Sequence, residues 1–98
     1  LKLQQHMATN SDKDLLINVG KQIRLIRKKQ GKALKDLAQA VGMEPSNLSV
    51  IENGKSNPQL LTYVKIASAL NCTMGDLFDF PFEYDKLEQS YMPRKHNL

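Results

Sequence analysis

Two short runs with a helical apolar period stand three residues apart, and that spacing narrows the possible folds more than any other feature of the chain. Leu34, Leu37, Ala38 and Val41 recur on one helical face, and Gly42 stops the run. Pro45 is pre-set for a first helical turn and opens the next run, which turns Leu48 and Ile51 inward, reaches Asn53 and stops at Gly54. Gly42-Met43-Glu44 is too short a link for the two helices to fold back antiparallel, so they must cross steeply. Ala38 is small where the helices approach, Gly42 supplies the left-handed residue that the turn needs, and Met43 is placed to pack on Leu48 across the cap.

Three more helices flank this pair. Ser11 caps the first, with Asp12 and Asp14 at the positive end of its dipole. Leu15, Leu16, Val19, Ile23 and Ile26 form its apolar face, and a basic last turn leads to Gly31. Gly20 inside it costs about 1 kcal/mol relative to Ala. Asn57-Pro58 is expected to start the fourth helix as Pro45 starts the third, with Leu60, Leu61, Val64, Ile66, Ala67 and Leu70 as its apolar residues. Thr73 caps a short fifth over residues 74–78. No run shows the period of two expected of a half-buried strand, so the predicted fold is all-α, a compact five-helix domain over residues 11–79. A chain of 98 residues has no room for a second core.

The ends differ in texture. Residues 1–10 show no apolar period and are expected to be disordered or tag-derived, with 1–6 a cloning remnant before a start at Met7. Residues 80–98 form a tail rich in rings. Five of the six aromatic residues (Phe78, Phe80, Phe82, Tyr84 and Tyr91) follow residue 77. That tail either lies over its own core or serves as a dimer arm. No stretch is apolar and long enough to span a bilayer, and one cysteine excludes an internal disulfide, which together point to a cytoplasmic protein.

The net charge of +4 says less than its distribution. Residues 20–60 hold eight basic side chains (Lys21, Arg24, Arg27, Lys28, Lys29, Lys32, Lys35 and Lys55) against Asp36, Glu44 and Glu52. The positive charge therefore coincides with the paired short helices, and an anionic partner is expected there. Catalysis has little to work with. His6 and His96 lie near the ends, Cys72 reads as a small core residue, and the carboxylates form no paired site. No phosphate-cradling glycine loop or metal-ligand spacing occurs, so no enzyme activity and no cofactor are expected.

The pattern resembles the phage-repressor family of DNA-binding domains (lambda repressor, Cro and Xre-like) over about residues 18–79. The resemblance rests on Gly31, Leu37-Ala38, Gly42, Leu48, Ile51-Glu52-Asn53-Gly54-Lys55, Asn57-Pro58, Ile66-Ala67, Ala69-Leu70 and Asp76-Leu77-Phe78. It implies a bacterial or phage regulator that binds a two-fold operator in double-stranded DNA as a homodimer, a repressor by preference, with its third helix in the major groove. At about 100° per residue, Leu48 and Ile51 inward leave Ser46, Ser49, Val50 and Asn53 outward. Base contacts are expected from Pro45, Ser46, Asn47, Ser49 and Val50, the valine against a thymine methyl. Without Arg, Gln or Lys on this face, direct readout is modest and DNA shape contributes.

The loop Asn53-Gly54-Lys55-Ser56-Asn57 suits phosphates through backbone amides, Asn side chains and Lys55, and the resemblance gives it that role. Lys32 and Lys35 begin the second helix where it would cross the DNA backbone. The family usually has Ser or Thr capping that helix and Gln at its first position; Ala33 and Leu34 stand there instead. Arg27 and Glu52 match positions that form a structural ion pair in relatives. A different class stays open beside this reading, a protein-interaction module such as an antitoxin-like partner that grips another protein through residues 80–91.

Overall fold

The computed structural model describes residues 11–84, and all regular structure among them is helical. Five helices follow in order: α1 (Asp12–Lys29), α2 (Leu34–Val41), α3 (Pro45–Glu52), α4 (Leu60–Ala69) and α5 (Met74–Leu77). Ser11 Oγ accepts the Asp14 N–H at 3.1 Å, the expected cap of α1. Thr73 Oγ1 accepts the Asp76 N–H at 3.0 Å while the Asp76 carboxylate accepts the Thr73 N–H at 2.9 Å, a reciprocal box at the start of α5. Hydrogen bonding to the carboxylate, first from the Thr73 backbone N–H and then from its side chain, holds the Asp76 carboxyl below its usual range.

One device ends four of the helices. Gly31, Gly42, Gly54 and Asn71 each take a positive φ. In each case the following residue donates its N–H back to a carbonyl five residues behind it (Lys32 to Arg27, Met43 to Ala38, Lys55 to Val50, Cys72 to Ala67). Asn71 does what glycine does elsewhere, as its short polar side chain permits. The third and fifth helices each stop one residue earlier than the spacing predicts, at Glu52 and Leu77, because Asn53 and Phe78 serve as their C-caps.

The fourth helix departs further from expectation. It begins at Leu60 after the N-cap Gln59, so Pro58 lies in the extended approach and not in the first turn. Its inward face is Tyr63, Ile66, Ala67 and Leu70, which are buried. Leu60, Leu61 and Val64, counted among the apolar residues of this helix, face solvent at 69%, 65% and 40% exposure. The reason is periodic: positions 63, 66, 67 and 70 keep the i, i+3, i+4, i+7 pattern that places four side chains on one face, and Leu60, Leu61 and Val64 lie off that face.

The core joins Val19 and Ile23 of α1, Leu37 and Ala38 of α2, Leu48 and Ile51 of α3, the α4 set and Leu77. Met43 and Met74 pack at its edge, as does Cys72, whose thiol is pushed up by burial and by the Asp76 carboxylate. α1 packs on α3 and α5, α2 on α3 and α4, and α4 on α5. Ring contacts run from Tyr63 through Phe78, Phe80 and Phe82 to Tyr84 at centroid separations of 6.0, 6.4, 6.3 and 5.0 Å. The tail thus starts out over its own domain, with Phe80 against the core. Its remainder with Tyr91, residues 1–10 with the expected cloning remnant at 1–6, and both histidines lie outside the described residues. No helix of the described residues is long and apolar enough to cross a membrane.

Candidate nucleic-acid interface

α3 presents a buried side and a polar side. Leu48 and Ile51 enter the core, while Pro45, Ser46, Asn47, Val50 and Asn53 are exposed and Ser49 is half-buried. Val50 keeps 39% of its surface open beside these polar groups. The Asn53 side-chain amide donates to Ser49 Oγ at 3.4 Å, a long bond that leaves the amide available to a better acceptor. The following loop keeps Lys55 and Asn57 exposed and Ser56 half-buried.

What aims this helix is α1. Arg27 and Glu52 form a bidentate pair, Nε to Oε2 at 2.7 Å and Nη2 to Oε1 at 3.0 Å, with both side chains buried. The third arm of the guanidinium donates to the Lys32 carbonyl at 2.8 Å, tying the α1–α2 link into the same clasp. Hydrogen bonding to Glu52 raises the Arg27 pKa above its ordinary value despite burial. Seven residues back on α1, a Cβ on Gly20 would stand 2.5 Å from the backbone carbonyl oxygens of both Ile51 and Glu52. Gly54 in turn lies against Ile17, where a Cβ would meet its Cα at 2.5 Å. Ile17, Gly20 and Arg27 thus hold the last turn of α3 and the start of the loop at three points.

The two lysines expected at the start of α2 part company. Lys35 is exposed. Lys32 instead serves the scaffold. Its ammonium donates to the Ala69 carbonyl at 2.9 Å, and the Gln30 side chain donates to the Leu70 carbonyl at 2.7 Å. Both cap the carbonyl end of α4, where a cation also suits the dipole. Sequence reasoning had no signal for these contacts, which join residues 37 and 40 positions apart. It had one for Gly20, an otherwise unexplained glycine inside a helical run. Among the described residues no cluster of three or more His, Cys, Asp or Glu side chains could hold a metal ion.

Two short helices crossing about a three-residue turn, the second exposing a polar face, define a helix-turn-helix module. Residues 23–77 match the Helix-turn-helix (HTH_3) family, and the chain belongs to this family of DNA-binding transcriptional regulators. It is 34% identical over 64 residues to the competence pilus inhibition repressor of Acinetobacter baylyi, matching 63% of this chain and 56% of that one. The chain thus spans about half the length of this relative. It is 31% identical over 72 residues to the uncharacterized HTH-type transcriptional regulator YozG of Bacillus subtilis, covering 72% of this chain and 81% of the relative. Among solved structures it resembles the restriction-modification controller protein C.AhdI from Aeromonas hydrophila. That match has a TM-score of 0.63 and 30% identity, and covers 64% of this chain and 96% of the other.

Proposed function

We propose that the protein is a transcriptional repressor that binds a two-fold operator as a homodimer, each copy laying α3 in the major groove. The observation that carries this reading is the polar outer face of α3, aimed by the buried Arg27–Glu52 clasp and continuous with the exposed loop at Lys55. Ser46 and Asn47 reach base edges, Val50 meets a thymine methyl, and Pro45 and Ser49 flank them. Lys35, Asn53, Lys55, Ser56 and Asn57 hold phosphates. The likeness to a named repressor supports the direction of regulation.

Selection from random duplex DNA at near-physiological salt, with nonspecific competitor, tests the reading. It is expected to enrich an inverted repeat with half-site centres about 10 bp apart. A folded protein that enriches nothing sinks it.

The two lysines at Lys32 and Lys55 separate phosphate contact from scaffold. Lys55→Ala is expected to lower the slope of log affinity against log salt by about 0.9. Lys32→Met leaves that slope unchanged and removes the bond to Ala69, at a cost of about 1 kcal/mol. The accompanying fall in Tm is about 4–8 °C. Salt titrations and thermal melts of both variants read the contrast directly.

A further inference from the structure

The turn into α3 carries a charge that the function above does not use. Glu44 is the N-cap of α3, with an extended backbone, yet its side chain makes no cap hydrogen bond. It is exposed, and it forms no side-chain hydrogen bond or ion pair with the described residues. Its backbone, by contrast, is pinned on both sides. Gly42 takes its left-handed conformation, the Met43 N–H donates to the Ala38 carbonyl at 2.9 Å, and Met43 packs at the edge of the core. The Glu44 carbonyl then accepts the Asn47 and Leu48 N–H groups at 3.0 and 3.2 Å. A fixed Cα therefore holds out an unpaired carboxylate immediately before Pro45 and Ser46. In a helix-turn-helix this is the end of the second helix that contacts base edges.

Charge makes the position informative. From Leu37 to Gly75 the chain has only two acidic residues, Glu44 and Glu52, and Glu52 is buried on Arg27. Phosphates surround any residue in a DNA groove, so a free carboxylate there lowers affinity for every sequence that offers it no donor. A carboxylate only accepts hydrogen bonds. In the major groove cytosine presents its N4 amino group and no acceptor of its own. Adenine sets N7 beside its amino group, guanine shows two acceptors, and thymine shows an acceptor and a methyl.

We infer that Glu44 reads a base: its carboxylate accepts from N4 of one cytosine in each half-site and disfavours the other three bases at that position. The inference rests on the operator reading above and deepens it. The face from Pro45 to Val50 has no charged side chain, so Glu44 supplies the charged base contact that this face lacks.

The competing account is structural, with the charge merely favouring the positive end of the α3 dipole. The two roles differ in what a substitution does. Loss of a structural group weakens binding to every duplex. Loss of a base-reading carboxylate weakens binding to the cognate repeat and strengthens binding to mixed-sequence DNA. Glu44→Ser separates the roles further, because serine is a favoured N-cap whose hydroxyl accepts an N–H in the first turn. It holds α3 at least as well while removing the carboxylate.

The test runs selection from random duplex DNA on the full 98-residue chain, on Glu44→Ser and on Glu44→Gln. Binding isotherms follow, on the enriched repeat with each base pair at the position in turn and on mixed-sequence DNA. The wild type is expected to prefer cytosine at one position of each half-site by about 10-fold. Glu44→Ser is expected to prefer no base there, to bind mixed-sequence DNA about twofold more tightly, and to melt no lower than the wild type. Glu44→Gln, whose amide both donates and accepts, is expected to turn the preference to adenine. A Glu44→Ser protein that keeps the wild-type base profile overturns the inference and leaves the operator reading intact. So does one that melts lower and loses affinity equally for all duplexes, and so does a Glu44-dependent position that selects another base. If the folded wild type enriches no repeat, the operator reading fails and this inference falls with it.

Discussion

Replacing Glu52 with Leu is expected to cost about 3–5 kcal/mol, among the largest effects of any single change in this domain. At roughly 4–8 °C per kcal/mol for a domain of this size, the melting temperature falls by at least about 12 °C. The asymmetry between the partners explains why. Arg27 has its pKa raised further by the very bond in question, and a guanidinium does not give up its proton at accessible pH. Without Glu52 a buried cation keeps only the Lys32 carbonyl. The single change Arg27→Met is damaging as well, because it strands a buried carboxylate.

The double variant Arg27→Met, Glu52→Leu removes both charges and is expected to recover much of the loss, since apolar side chains of similar volume avoid the desolvation penalty. Thermal melts of the two singles and the double give the coupling energy. If the two single losses simply add in the double, the pair does not act as a unit and this account of the clasp is wrong. Because Glu52 ends α3, each single change also loosens the helix that carries the proposed base contacts.

Gly20→Ala is expected to destabilise although helix propensity argues the opposite. In an isolated helix the change gains about 1 kcal/mol. Here the new Cβ would stand 2.5 Å from two backbone carbonyl oxygens of α3, and backbone does not swing aside as a flexible side chain does. Overpacking of that kind costs about 1–3 kcal/mol or more, so the net effect is a loss that grows with Gly20→Val. The displaced element is α3 itself, so DNA affinity is expected to fall together with stability. Melts and binding isotherms of the alanine variant check both; an alanine variant as stable as the wild type means that α1 and α3 do not approach as closely as the structure places them.

Gly20 shows where local reasoning stops. The sequence marks it as a propensity penalty, and only the packed structure shows the carbonyls it accommodates. α4 teaches the same lesson. Its apolar residues occur all round the helix, so composition alone does not separate Leu60, Leu61 and Val64 from the inward set. The period through Tyr63, Ile66, Ala67 and Leu70 decides which four turn inward. On α3 the reading was easier, because Leu48 and Ile51 are the apolar pair at a helical spacing and Val50 shares its outward face with Ser46, Asn47 and Asn53. The outward set was legible for that reason.

The sequence by itself determined the five helices, their order, the short turn that joins α2 to α3 and the exposed face of α3. Caps, stops and apolar periods act within four or five residues, and such interactions can be read along the chain. Tertiary structure decided the rest: Gly20 beneath the end of α3, the ammonium of Lys32 on the Ala69 carbonyl, and the leucines of α4 left in water. The bonds involved join residues 25 to 40 positions apart, and no local pattern encodes which distant backbone a side chain will meet. The Arg27–Glu52 clasp falls between the two. Resemblance pointed to its residues, and packing alone made it buried and bidentate.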